Sequence, residues 1–255
     1  MASLERTLSG KRCLVTGASR TLGAEMARAM ARHGAAVAVN YWRSQAGAEA
    51  LCAEIAAQGG QAVPLMADAA DPDQAAKLVA ETRQALGGLD ILVNNFGPWA
   101  GAPWLDLSLA DYERIMAGNV RSTFVLSQVA GASMKADRGG SIVNIAATDA
   151  FERGRSVYGL AKAAVIHLTE ALAVELAPEV RVNAIAPGLI ADNEDMTAAL
   201  VAHEVARTPL GRLVTRAEIA EVLCLLCSPA FASVTGETIA MDGGARIPHT
   251  RHGVT

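Results

Sequence analysis

The order of hydrophobic patterns along the chain constrains its fold more than any single motif does. Short β-branched runs alternate with helix-length periodic segments six or seven times, joined by short connections. The first run, Arg12 to Thr16, precedes a helical pattern from Thr21 to about His33, closed by Gly34. A second strand ends at Asn40, before a helix over about Ser44 to Gln58. The third, QAVPLMAD, carries Pro64, which predicts a local irregularity, and Pro72 then opens a helix reaching Leu86. LDILVNN supplies the fourth strand, Ser141 to Ile145 the fifth, Val180 to Ile185 the sixth and Glu237 to Met241 the last. Further helical patterns cover about Leu109 to Ala136, Arg155 to Ala177 and Arg216 to Cys227. This alternation predicts an α/β fold: a doubly wound parallel sheet, helices on both faces, right-handed crossovers. No linker, repeat or low-complexity segment breaks residues 1–255, so one domain is expected, with an irregular or helical insertion at about 189–214.

Composition narrows the function classes. The chain is 51% hydrophobic but only 4% aromatic, so its core must be mostly Ala, Val, Leu and Ile, the usual material of helices on a parallel sheet. A net charge of −4 and scattered basic residues give no reason to expect nucleic acid. The N-terminal MASLERTLSGKR has charges before any apolar run, unlike a signal peptide, and no uninterrupted apolar stretch approaches membrane-spanning length. A soluble, cytoplasmic protein with no membrane partner is expected. Cys13, Cys52, Cys224 and Cys227 suggest no disulfide framework. The C-x-x-C of Cys224 and Cys227 sits inside the leucine-rich run EVLCLLCS, without a second cysteine pair or a histidine cluster, so core packing is expected and no metal.

Between the first strand and first helix lies TGASRTLG, Thr16 to Gly23. In a doubly wound sheet this turn points bare N–H groups of a helix start at a dinucleotide pyrophosphate, and glycines allow close backbone approach. Gly17, Ser19, Arg20, Thr21, Leu22 and Gly23 are the candidates there. An acidic residue ending strand two would hydrogen-bond the ribose 2′-OH of NAD and repel a 2′-phosphate. Here the strand ends in Asn40, followed by Tyr41, Trp42, Arg43 and Ser44. Arg43 and Arg20 could bracket a 2′-phosphate, with Ser19 and Ser44 as added donors, so NADP(H) is expected over NAD.

The segment Ser141 to Lys162 ends in a Tyr-x-x-x-Lys, Tyr158 and Lys162. On a helix, residues four apart share a face. A phenol with an ordinary pKa of about 10 is a poor acid at neutral pH, and a neighbouring ammonium favours its ionised form. The pair therefore suits proton donation to a carbonyl oxygen.

Taken in order, these motifs resemble the short-chain dehydrogenase/reductase family over about Leu8 to Gly244. They are TG-x-x-x-x-x-G, Asp68, NN-x-G at Asn94 to Gly97, Asn119, Tyr158-x-x-x-Lys162, Pro187-Gly188, and DGG at Asp242 to Gly244. The resemblance implies a Rossmann-type dinucleotide-binding and catalytic domain. Tyr158 would donate the proton, Lys162 would bind the nicotinamide ribose and depress the tyrosine pKa, and Asn119 would hold a relay water. Asp68 would contact the adenine with Ala69 supplying backbone, Asn95 and Gly97 would line the adenosine side, and Pro187, Gly188 and Ile190 would frame the nicotinamide. It also implies pairing of the two long helices across two-fold interfaces, with the last strand in a second interface: a homotetramer, or a homodimer.

Four departures from the family pattern stand out. Thr21 holds the place of a middle glycine; Phe96 enlarges the usual Asn-Asn-Ala-Gly; Asp192 replaces a threonine that often binds the carboxamide. The serine expected after the fifth strand is Ala147, preceded by Ala146, and the loop to Tyr158 is about two residues shorter than usual. Thr148 is the nearest hydroxyl and Asp149 the nearest carboxylate; Ser141 lies too far back and Ser156 is expected to be structural. The leading expectation is an NADPH-dependent reductase of a small-molecule ketone, of 3-oxoacyl or polyketide type. Trp99, Trp104 and Phe151 would form an aromatic wall and residues 189–214 a substrate lid. Pteridine or quinonoid reduction is the alternative suggested by NYWRS, Thr21 and Asp149. An NADP-binding protein with impaired redox activity is a third, suggested by Ala147 and Asp192.

Overall fold

The computed structural model describes residues 7–152, 156–193 and 196–247. Seven strands, β1 (Arg12–Val15), β2 (Ala36–Tyr41), β3 (Gln61–Met66), β4 (Ile91–Asn94), β5 (Gly140–Ile145), β6 (Val180–Pro187) and β7 (Thr238–Met241), make one sheet. Their order is β3-β2-β1-β4-β5-β6-β7, and every neighbouring pair is parallel. The order reverses between β1 and β4, which opens a crevice at the carboxyl ends of those strands. This is the Rossmann-type doubly wound sheet expected from the alternation.

Successive side chains on β1 face opposite layers, and each layer has its own apolar contacts. Cys13 and Val15 join the core beneath α1 (Thr21–Arg32), α2 (Gln45–Ala57) and α8 (Arg216–Cys227). Leu14 joins the opposite core, beneath α3 (Pro72–Leu86), α5 (Ser122–Lys135) and α6 (Val157–Leu176). Leu14, Leu92 and Ile142 are fully buried, each worth about 1.5–3 kcal/mol of transfer free energy. Cys13, Cys224 and Cys227 are free thiols in the first of these cores.

Several details differ from the sequence expectations, for identifiable reasons. Pro64 causes no irregularity: β3 is an edge strand that pairs only with β2, so a missing N–H is tolerated. The long helix of Leu109 to Ala136 is three pieces: α4 (Leu109–Met116), a π turn (Ala117–Arg121) and α5. Arg155, the expected start of the next helix, lies outside the described residues; α6 begins at Val157, and Ser156 caps it by accepting a hydrogen bond from the Gly159 N–H at 3.1 Å. Helix α6 is long and apolar enough, by length and composition, to cross a membrane, although Lys162, His167, Glu170 and Glu175 interrupt its apolar run. It packs against β6 and the π turn and carries the buried Lys162. The described residues of 189–214 hold one helix, α7 (Ala198–Arg207), and a parallel bridge between Ile190 and Val214 closes the segment at its root.

At the amino-terminal edge of the sheet, Arg12 and Asp90 join β1 to β4. The guanidinium donates to both carboxylate oxygens, Nε at 2.7 Å and a terminal nitrogen at 2.9 Å, and the Arg12 N–H donates at 2.8 Å. Burial alone would raise the Asp90 carboxyl; the hydrogen bonds and charge of Arg12 outweigh it and hold the group below the usual carboxylate range. Such a depressed carboxyl contributes stability above its unfolded pKa, near 4, and that contribution is lost as pH falls through the folded value. We therefore expect Asp90→Asn to be less stable than the parent at pH 7 and to show a shallower loss of stability on acidification, as read by urea unfolding between pH 7 and pH 3.

Candidate active site

The crevice is built around the β1–α1 turn, which borrows partners from two neighbouring strands. The Thr16 hydroxyl accepts from the N–H groups of Asn95 and Phe96 at 3.0 and 3.1 Å. The Asn95 amide donates to the carbonyls of Thr16 and Gly17 at 2.8 and 3.2 Å. From the other side, Asn40 Oδ1 accepts from the Gly17 N–H at 3.1 Å, and its amide donates to Ala67 at 3.1 Å. Asn40 is thus a buried strut beneath the turn, and Asn95 is a brace. A Cβ on Gly23 would collide with the Gly17 carbonyl, so this close approach requires glycine.

Thr21 begins α1 with φ of +50°, the one left-handed non-glycine residue among those described. A β-branched side chain is strained there, by about 1–3 kcal/mol. The site therefore keeps a glycine-like backbone without a glycine. Its neighbours prepare the same place for an anion. Helices α3, α4, α6, α7 and α8 each start with a side-chain cap, from Asp71, Ser108, Ser156, Thr197 and Thr215. Helices α1 and α2 start with neither a side-chain cap nor an acid in the first turn. Their N–H groups and positive dipole ends remain open at the mouth of the crevice. Ser19 and Ser44 are brought together there: the point a Gly47 Cβ would occupy lies 2.7 Å from both the Ser19 carbonyl and Ser44 Oγ. Arg20 and Arg43 are exposed beside them.

Asp68 holds the β3–α3 loop, accepting from the Ala70 N–H at 2.9 Å, and Ala69 is buried next to it. The partly buried ring of Phe96 packs against the α3/α5/α6 core and toward Gly118 of the π turn.

Deeper in the crevice, the π turn presents Asn119. Its amide donates to the carbonyls of Pro98 and Ile115 at 2.9 and 3.0 Å. Its Oδ1 is buried with no hydrogen-bond partner. A Cβ on Gly97 would clash with that oxygen and sit 3.3 Å from Lys162 Nζ. Gly97 therefore abuts Asn119 and Lys162, and its lack of a side chain leaves room there. Lys162 Nζ donates to the Ile145 carbonyl at 2.7 Å and lies 5.3 Å from the centre of the Tyr158 ring.

Burial pushes the Tyr158 phenol up, and Asp149 adds to the effect. Burial pulls the Lys162 ammonium down to about 8, with the charge of Asp149 opposing. The depressed phenol expected from a neighbouring lysine is thus absent in this structure: burial dominates, and Asp149 acts on both groups. Thr148 is buried at the start of a short 3₁₀ turn (Thr148–Phe151), its hydroxyl 3.7 Å from the point a Gly188 Cβ would take, with Asp242 on the other flank of Gly188. Ala147 contributes no polar group at the position of the expected serine. Phe151 stacks under the Arg246 guanidinium, 4.8 Å from its ring centre. Asp192 is turned toward the start of α8, where its Oδ1 accepts from the Arg216 N–H at 3.3 Å. Arg216 escaped notice in the sequence because its partner is 24 residues away and no spacing rule links them.

The strain at Thr21 makes a direct prediction. Thr21→Gly should raise stability to urea by about 1 kcal/mol, the relieved left-handed strain being partly offset by the greater freedom of glycine in the unfolded chain.

Comparison with known proteins agrees with this geometry. A family model described as enoyl-(acyl carrier protein) reductase matches residues 17–246. The 3-oxoacyl-[acyl-carrier-protein] reductase of Synechocystis is 37% identical over 242 residues, covering 93% of this chain and 97% of the relative. A short-chain dehydrogenase from Burkholderia cenocepacia, solved in complex with NADP, superposes with a TM-score of 0.88 at 36% identity, over 94% of this chain and 99% of its own. A 7α-hydroxysteroid dehydrogenase, solved with NADH and 7-oxo glycochenodeoxycholic acid, gives 0.89 at 34% identity, over 93% and 94% of the two chains. With the parallel sheet, the braced glycine turn and the Asn119–Tyr158–Lys162 cluster, these matches show that the chain is an oxidoreductase of the short-chain dehydrogenase/reductase family, which binds NAD(P)(H).

Proposed function

We propose that the protein is an NADPH-dependent ketone reductase with Tyr158 as the proton donor. The observation that carries this reading is the buried Asn119 Oδ1 without a partner, beside Gly97 and Lys162. A buried acceptor left unpaired costs about 1–3 kcal/mol, and a site keeps such a group where a ligand or relay hydrogen bond will use it. A nicotinamide dinucleotide bound in the crevice supplies the hydride. Ser19, Arg20, Thr21 and Leu22 would hold its pyrophosphate against the open start of α1, with Asp68 and Ala69 toward the adenine and Pro187, Gly188 and Ile190 toward the nicotinamide. Tyr158 gives its proton to the substrate oxygen, Lys162 orients the cofactor ribose, and Asn119 accepts the hydrogen bond that links Lys162 onward. Thr148, buried beside Gly188, takes the carbonyl-holding role that Ala147 cannot fill. Residues 189–214, bridged at their root by Ile190 and Val214, anchored at their far end by the Leu210 N–H donating to the Gly243 carbonyl at 3.2 Å, and carrying a helix with no buried residue between, act as the substrate lid.

General acid catalysis by a positioned side chain contributes about 10²–10⁴ in rate, so Tyr158→Phe should lose that much of kcat while NADPH binding, followed by fluorescence, persists. Unchanged turnover across a panel of 3-oxoacyl and cyclic ketones would refute the assignment. The free enzyme should also show kcat/KM falling as pH rises through about 8, where Lys162 loses its charge. Asp149→Asn, which removes the charge that raises Lys162, should move that limb to lower pH.

Preference for NADPH over NADH rests on the open α2 start, Ser44 and the exposed Arg20 and Arg43. Arg43→Ala should weaken NADPH by about tenfold in KM, the value of one charge-assisted contact, and leave NADH unaffected. Equal losses for the two cofactors would contradict the 2′-phosphate role.

The field of Asp149 on Tyr158 and Lys162 favours one second reading, reduction of an oxidised pterin or quinonoid ring with Asp149 near the substrate. Assays with biopterin and folate as acceptors separate it from ketone reduction.

A further inference from the structure

We propose that Arg216 is the counter-charge that allows Asp192 to stand beside the pyrophosphate of the bound dinucleotide. This inference rests on the reading that the cofactor occupies the β1–α1 turn. A cavity of about 470 Å³ runs from that turn, at Ser19, Arg20 and Thr21, to Asp192, Thr215 and Arg216. Its wall along α1 and α2 carries Glu25 and Glu54, both paired with Arg28, and Tyr158 does not line it. An ionised carboxylate on its wall repels a diphosphate, a juxtaposition that costs binding energy unless neutralised.

The arrangement around Asp192 supplies that neutralisation from α8. Asp192 Oδ1 accepts from the Arg216 backbone N–H at 3.3 Å, which also places the carboxylate at the positive end of the helix. The Arg216 Nε lies 3.8 Å from Asp192 Oδ2, and a terminal nitrogen donates to Asn193 Oδ1 at 3.4 Å. The guanidinium is mostly buried, its side chain 16% exposed, and Nε has no hydrogen-bond partner. A mostly buried arginine opening on the same cavity as the glycine turn is suited to hold that carboxylate and offset its charge. The capping box of Thr215 and Glu218 fixes the first turn of α8, so the guanidinium springs from a rigid base. Arg216 is a positioning residue here, acting through Asp192.

The test is a double-mutant cycle read by NADPH fluorescence titration of the full-length protein. Arg216→Gln should weaken NADPH by about tenfold, because it leaves Asp192 facing the pyrophosphate uncompensated. Adding Asp192→Asn to that variant should restore the affinity to within about threefold of the parent, a coupling that two merely structural substitutions would not show. Adenosine 2′-monophosphate, which lacks the pyrophosphate, should bind all four proteins alike; Arg216→Lys serves if the glutamine variant does not fold, and should retain tight NADPH binding. Parent-like NADPH affinity of Arg216→Gln, failure of Asp192→Asn to restore it, equal weakening of adenosine 2′-monophosphate, or weak binding by Arg216→Lys overturns the proposal. Absence of NADPH and NADH binding to the parent would instead overturn the cofactor reading on which it stands.

Discussion

Three strand ends converge on one turn, and the hydrogen bonds of Thr16, Asn40 and Asn95 hold them there. β1 supplies the Thr16 hydroxyl, β2 the Asn40 amide and β4 the Asn95 amide. Because the three groups come from adjacent strands, the sheet itself sets their spacing, and the backbone of Gly17 has little freedom left. That over-determination is what allows Thr21 to sit with a positive φ. Strain of this kind persists only where the surroundings fix the conformation more strongly than the local preference opposes it.

The deeper half of the crevice depends on burial. Lys162 sits almost fully out of solvent, with the Ile145 carbonyl as its one hydrogen-bond partner among the described residues. Removing solvent favours the neutral forms of both Lys162 and Tyr158, so the pair is poised to exchange protons only when further charge and hydrogen bonds arrive. Asp149 already supplies part of that field. Its effect on the two groups has the same sign, raising both, which keeps Lys162 charged and Tyr158 protonated at neutral pH. For a group that must hold a proton before delivering it, that is a useful resting state.

The alternation of patterns was sufficient for the fold because it depends on periodicity, which a chain writes locally. The seven strands and their layers follow from it with only terminal residues displaced. The Tyr158–Lys162 pair was legible for the same reason, since both ends lie on one helix face. Other positions were not legible because their partners are distant. Asn40 and Asn95 brace the turn, a role that nothing in their own neighbourhoods reveals. The closeness of Gly97 to Asn119 and Lys162 is not legible either, because the following loop, Pro98 to Ser108, has no periodicity to read. Phe96 drew attention by size, and its ring packs against the core.

The π turn at Ala117–Arg121 has a further consequence. Each residue of an α-helix advances about 100° around the axis, so one extra residue in a turn changes the phase of everything beyond it. Asn119 sits inside that slip, which aims it at Lys162 while α4 before it and α5 after it keep their own faces toward the core. The orientation of this asparagine is therefore encoded in a count of residues as much as in their identities. Two chains could match at every named side chain, differ by one residue in this helix, and point their asparagines in different directions.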